Sequence, residues 1–202
     1  MRKVFACIFL LVAPLLAQSR LESGEPAATA TGPSFEASLG YVYFDMAMPS
    51  QRVALGGADA SALVKFNSHW GATIDSTYAS TGNVLGTGHG ANVLSFLAGP
   101  VFYIPSLAKA GVFVHALAGA CRVDGAVPAN GGYYLDGWVA RPSYAFGGGL
   151  EHPLFRSVGL RVQGDYQRTT FADSTGAIQG QNNLRLTTSL VYGFGNGFGK
   201  RE

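Results

Sequence analysis

From Ser34 onward apolar and polar side chains alternate with a period of two. Phe35, Ala37, Leu39, Tyr41 and Tyr43 fall on one side of an extended chain and Glu36, Ser38 and Gly40 on the other, before Val42 and Phe44 blur the pattern. Successive side chains of a strand point to opposite faces, so such alternation predicts a strand between two different surroundings. The pattern recurs down the chain. Ala60, Ala62, Val64 and Phe66 oppose Asp59, Ser61, Leu63, Lys65 and Asn67, and Trp70, Ala72, Ile74 and Tyr78 oppose Thr73, Asp75 and Thr77. Further strands are predicted at about 92–104, at 111–122 with His115, Gly119 and Cys121 on the smaller face, and at 143–152. The clearest is the seventh, with Leu160, Val162 and Tyr166 against Arg161, Gln163, Asp165 and Gln167. The eighth sets Leu184, Leu186, Leu190, Tyr192 and Phe194 against Asn183, Arg185, Thr187 and Ser189.

Eight strands of roughly ten residues suit an all-β, eight-stranded antiparallel up-and-down transmembrane β-barrel. The connections sharpen this. Those after the second, fourth and sixth strands read as short, those after the first, third, fifth and seventh as longer and richer in Gly, Asn and Asp, as short periplasmic turns and long external loops require. Alternation alone does not say which face is inside, because a soluble, lipocalin-like carrier shows the same period. Charge decides. The apolar face carries Arg122 and Arg168 at the outer rim, whereas Glu36, Asp59, Lys65, Asp75, Glu151, Arg161, Asp165, Arg185 and His115 share the other face. Lipid is the better solvent for the first face, and Trp70, Tyr78, Phe102, Tyr144, Tyr166 and Tyr192 then fall near strand ends, where interfacial girdles belong.

Composition agrees. Only 13% of the 202 residues are charged, about half of what a soluble domain carries. The longest uncharged apolar run, Val4 to Ala17, is shorter than the roughly 18 residues a spanning helix needs. It follows Met1-Arg2-Lys3 and reads as the core of a signal peptide covering residues 1–17. Residues 18–33 are expected to be a flexible lead-in, 34–195 the barrel and 196–202 a C-terminal tail. Cys7 leaves with the signal, so Cys121 has no disulfide partner in the mature chain. A net charge of +2 with scattered basic residues excludes a nucleic-acid binder.

The run Gly180-Gln181-Asn182-Asn183-Leu184-Arg185-Leu186-Thr187-Thr188-Ser189-Leu190-Val191-Tyr192-Gly193-Phe194-Gly195 resembles the last strand of OmpA-like outer-membrane β-barrel domains. Ala98-Gly99-Pro100, Phe146 to Gly149, and Arg161 through Asp165-Tyr166 carry the same resemblance, which spans about residues 34–195 in order and spacing. It implies a barrel in the outer membrane of a Gram-negative cell. Two departures stand out: no peptidoglycan-binding domain is expected after Glu202, and residues 196–202 run past the aromatic end usually associated with barrel assembly.

The inward charges Glu36, Lys65, Asp75, His115, Glu151, Arg161, Asp165 and Arg185 are the candidate site, a lumen network. A buried charge left alone costs more than a fold can spare, so these must interlock. Glu151 and Arg161 flank one short hairpin, Lys65 and Asp75 another, and Asp165 and Arg185 lie on neighbouring strands, which predicts three pairs. A catalytic set is not expected: His69, His89 and His152 are dispersed, no Gly-x-Ser-x-Gly elbow occurs, and His89 with Asp124, Asp136 or Ser143 is the nearest approach to one. No metal-ligand spacing appears, and no cofactor is expected. The loop 123–142, with Tyr133, Tyr134 and Trp138, offers aromatics to a surface partner. The sequence therefore predicts a monomeric, non-enzymatic barrel that contacts outer-membrane lipid and lipopolysaccharide and serves structural anchoring or surface interaction. The alternatives are a small ion-conducting pore, a lipid-modifying enzyme on the same scaffold, and the soluble carrier.

Overall fold

The computed structural model describes residues 33–48, 51–84, 86, 88–104, 111–125, 127–129, 133–135, 138–172 and 178–194. The expected signal peptide, all but the last residue of the lead-in and the C-terminal tail lie outside them. The strands are β1 (Ser34–Ala47), β2 (Arg52–Lys65), β3 (Trp70–Thr81), β4 (Ala91–Ile104), β5 (Gly111–Gly125), β6 (Val127–Ala129), β7 (Tyr133–Leu135), β8 (Trp138–Pro153), β9 (Val158–Ala172) and β10 (Ile178–Phe194). β6 and β7 pair with each other as a short ribbon between β5 and β8. The other eight form a closed antiparallel barrel in which β1 meets both β2 and β10.

The barrel's stagger can be followed through one ring of paired residues. It runs Ser34, Lys65, Gly71, Val101, His115, Gly147, Asp165 and Arg185, and returns to β1 at Phe44. The return lies ten residues beyond the start, since Phe44 minus Ser34 is ten. A stagger of this size tilts the strands, so residues far apart in sequence come to share one height in the lumen.

Each strand turns its alternating faces to two environments. Leu39, Ile74 and Leu190 on the outside are 67%, 63% and 57% exposed, whereas Glu151, Asp165 and Arg185 inside are buried. A soluble barrel has the reverse arrangement, because water would demand the charges outside. Around the rim where Ser34 and Phe194 lie, here the terminal rim, Trp70 packs edge-on against Phe102 at 4.9 Å and Tyr192 against Phe194 at 4.8 Å. Tyr43, Tyr78, Tyr144 and Tyr166 are exposed nearer the opposite, loop rim. The exterior is therefore an apolar band between two aromatic girdles.

Three expectations need correction. The connection after β1 is short, spanning 48–51, because β1 and β2 continue pairing to Ala47 and Arg52. Gly56 and Gly57, which precede the alternation that begins at Asp59, lie within β2. At Gly56 the reason is steric: a Cβ there would sit 2.5 Å from the Tyr41 hydroxyl oxygen, so glycine leaves room for the neighbouring ring. The gap between β9 and β10, 173–177, is likewise short, so the predicted loop asymmetry survives only after β3 and β5. The exterior also carries more charge than Arg122 and Arg168. The longer hairpin adds Asp45 and Arg52, paired at 2.6 Å at the loop rim.

The facing of β10 yields a direct test. Leu186→Arg places a charge in the apolar band and is expected to lower barrel stability by roughly 2 to 4 kcal/mol, while Leu186→Ile stays close to wild type. Urea unfolding of protein refolded into lipid vesicles measures both, and a Leu186→Arg midpoint equal to wild type would reverse inside and outside.

Candidate functional site

The lumen is layered. Next to the terminal rim, two acids and two bases from four strands close a compact ring. Arg161 of β9 lies 2.7 Å from Glu151 of β8 and 2.9 Å from Glu36 of β1. Lys65 of β2 pairs with Glu36 and lies 3.6 Å from Glu151. Aromatic walls complete this layer, with Lys65 4.4 Å above the Tyr103 ring and Arg161 5.4 Å from that of Phe113. Charges balance here, so the guanidinium and ammonium exchange hydration for partners rather than losing it outright.

The middle layer is built on Arg185, which is fully buried. Its guanidinium bonds Asp75, donates at 2.8 Å to Asp165 and at 2.8 Å to the Thr77 hydroxyl, and lies 4.0 Å from Asp59. Thr77 donates in turn to Asp59 at 2.9 Å. His115 Nε2 lies 2.6 Å from Asp165, which also accepts from Gln163 at 2.8 Å. One rigid cation thus ties together three carboxylates from β2, β3 and β9, a role the planar, five-donor guanidinium fits better than an ammonium.

Space for this cluster comes from the wall itself. Gly147 faces the lumen opposite both His115 and Asp165. A Cβ there would sit 1.9 Å from an Asp165 oxygen and 2.4 Å from the Gly164 carbonyl, and one at Gly149 would sit 2.9 Å from the Phe113 ring. The glycine run in β8 therefore thins the wall where interior side chains crowd it.

Above, toward the loop rim, the lumen is amphipathic. Val42, Phe44, Leu55, Val93 and Cys121 belong to one apolar cluster contributed by β1 to β5. Facing strands supply amides and hydroxyls: Gln167 donates to Ser95 at 3.2 Å and Ser143 at 3.1 Å, and Asn183 donates to Thr169 at 3.0 Å. Between the lower and middle layers lies a cavity of about 10 Å³, bordered by Asp75, Tyr103, His115 and Arg161 among others. That is about the space of a single water.

The eight residues singled out from sequence thus separate into two groups, Glu36, Lys65, Glu151 and Arg161 below and Asp75, His115, Asp165 and Arg185 above. Glu151 meets Arg161, and Asp165 meets Arg185. The expected pairing of Lys65 with Asp75 does not form. Lys65 is opposite Gly71 whereas Asp75 is opposite Ser61, so the two sit at different heights and join different layers. Sequence reading placed Asp59 inward without assigning it to the site, and it missed the apolar cap, whose signal was the break in alternation at Val42 and Phe44. The residues considered for catalysis are placed only in part. Ser143 faces the lumen and donates to the Arg168 carbonyl, His89 is exposed in the 82–90 connection, and Asp136 lies outside the described residues. Among the described residues no group of three His, Cys, Asp or Glu side chains is arranged to hold a metal.

No protein-family model matches the sequence, and no curated protein matches it. Solved structures do. The chain is similar to Neisserial surface protein A (NspA), with a TM-score of 0.64 and 13% identity over 81% of this chain and 99% of that one. It is also similar to Ail, the attachment invasion locus protein of Yersinia pestis, with a TM-score of 0.55 and 16% identity over 81% and 99%. A further structure of Ail, in complex with the heparin analogue sucrose octasulfate, gives a TM-score of 0.54. The fold is that of an eight-stranded outer-membrane β-barrel.

Two substitutions probe the network. Arg185→Ala leaves three carboxylates without their shared cation and is expected to cost about 3 to 5 kcal/mol. Arg161→Ala leaves Glu36 and Glu151 with Lys65 as the cation between them and is expected to cost a similar amount, part of which the exchange Glu151→Arg with Arg161→Glu restores. Both are read from unfolding in detergent, followed by the shift in gel mobility on heating that a closed barrel shows. Gly147→Val is expected to block folding of the barrel, because the atoms it meets are backbone as well as carboxylate, and a normal unfolding midpoint for it would exclude the close approach at Asp165.

Proposed function

We propose that this chain is a non-enzymatic, OmpA-like barrel of the outer membrane that serves structural anchoring or surface interaction, its lumen closed to solutes. The observation that carries this reading is the filling of the lumen at successive heights. The Glu36–Lys65–Glu151–Arg161 ring, the cluster on Arg185 and the cap at Phe44 and Leu55 each occupy the bore. An eight-stranded barrel has interior enough for side chains only, which is why charges that would line a wide channel here form a plug.

The proposal extends to processing and contacts. Residues 1–17 direct export and are removed, residues 18–33 and 196–202 flank the barrel, and the working form is a monomer held by lipid and lipopolysaccharide. Surface interaction falls to the connection between β5 and β8. Trp138, 43% exposed at the start of β8, marks the edge of that region and stacks with Arg122 at 5.2 Å. The name and the sulfated ligand of Ail supply a precedent for surface work on this scaffold.

Planar-bilayer recording tests the plug. Purified wild-type protein is expected to leave current near baseline. Removing two layers at once, with Arg185→Ala and Phe44→Ala combined, is expected to produce discrete openings if the double variant retains its heat-dependent mobility. A stable, voltage-tolerant current from wild type would replace the plug with the pore reading.

A further inference from the structure

The exterior arginines differ in what neutralises them. Arg52 is paired with Asp45 at 2.6 Å, and Arg122 lies 5.2 Å from the Trp138 ring. Arg168 has neither. Among the described residues no carboxylate lies within ion-pair distance of it, and no aromatic ring lies beneath its guanidinium.

Its place in the wall is specific. Arg168 is opposite Tyr144 on β8 and Asn182 on β10, and all three are exposed on the outer surface. Cross-strand neighbours of this kind have Cβ atoms about 5 Å apart. They form a row of one cation flanked by a phenol and an amide. The next outward row toward the terminal rim is Phe146, Tyr166 and Leu184, which is wholly apolar apart from one phenol. The Tyr144 ring packs on Phe146 at 6.0 Å, anchoring it at this boundary. The cation therefore sits in the more polar of the two rows, toward the loop-rim end of the apolar band. The guanidinium does not hang over the apolar row. It reaches the other way, to Gly180, where a Cβ would lie 2.7 Å from Nη2. Gly180 pairs with Thr170, one step further toward the loop rim than Arg168 itself. The side chain thus snorkels out of the hydrocarbon, across a glycine that clears its path, and presents its donors at headgroup level.

We infer that Arg168, with Tyr144 and Asn182, is a lipid-phosphate site on the outside of the barrel, taking the phosphate of one outer-leaflet lipid headgroup. The chemistry fits that ligand. A guanidinium binds two phosphate oxygens at once in a fixed fork, the Asn182 amide on the β10 side toward which it reaches offers a neutral donor, and the Tyr144 phenol bounds the row on the other side. A protein partner is the weaker fit, since the row sits at the edge of the band that lipid covers. The inference rests on the proposed outer-membrane residence and adds the position and chemistry of one contact within it.

The test uses the mature barrel refolded into vesicles of digalactosyldiacylglycerol, a matrix lipid without phosphate, that contain either diphosphorylated lipid A or its phosphate-free analogue, then extracted into mild detergent. Native mass spectrometry reads the fraction of barrels that retain one lipid. Wild type is expected to retain the phosphorylated lipid and not the analogue. Arg168→Gln is expected to lower retention about tenfold, in line with one charge-assisted contact, with Arg168→Lys between the two and Arg52→Gln unchanged. Equal retention by wild type and Arg168→Gln overturns the site, as does equal retention of the two lipids by wild type. If Arg168→Gln does not fold, the comparison of lipids on wild type decides alone. Wild type that inserts, shifts in mobility on heating and carries no current, yet ignores the phosphate, loses this inference and keeps the proposed function.

Discussion

Within hydrocarbon a backbone N–H or C=O has no partner except another backbone group, and each one left open costs several kcal/mol. The pairing of β1 with β10, from Phe35 opposite Phe194 to Asp45 opposite Leu184, is the contact that satisfies this demand. It joins the two ends of the barrel-forming chain across more than 130 residues. Without it two strands would offer open edges to lipid, and none of the shorter hairpins could compensate.

Closure dictates what the interior holds. Eight strands with a stagger of ten residues enclose a bore that side chains fill, so inward positions cannot stay hydrated. Charges placed there must find one another or be replaced by apolar groups. Both solutions occur in this lumen. The lower and middle layers use ion pairs centred on Arg161 and Arg185, and the cap uses Phe44, Leu55 and Val93 against the amides of Gln167 and Asn183. Such pairs bring little net stability relative to a well-packed apolar core, yet breaking one leaves an uncompensated buried charge. A one-residue slip of a strand that carries these charges would turn them to lipid, so the network opposes such a slip.

The exterior follows the opposite logic. Its middle carries Leu39, Ile74, Phe146, Leu186 and Leu190, and its charges are confined to the rims. At the loop rim each exposed arginine meets the polar boundary differently: Arg52 through a carboxylate, Arg122 through a ring, and Arg168 by reaching past Gly180. The same residue type thus reports where hydrocarbon gives way to headgroups.

Much of this was legible in the amino-acid order. Period-two alternation names the inward and outward residues of a strand wherever the two environments differ in polarity, which is why the lumen positions of Arg161, Asp165 and Arg185 are legible from sequence. The rule fails where both faces are apolar, and that is why Val42 and Phe44 looked like noise when they were part of the cap. Glycine misled for a related reason. At Gly56 and Gly147 it makes room for Tyr41 and Asp165 rather than a turn, and sequence does not display the neighbour that needs the room. Heights in the lumen were also hidden. Strand tilt brings Glu36 to Arg161 and Asp75 to Arg185 across more than 100 residues while separating Lys65 from Asp75 only ten residues apart. Which side of the wall a residue faces is a local property of the chain, and which partner it meets there is set by the stagger of the whole closed sheet.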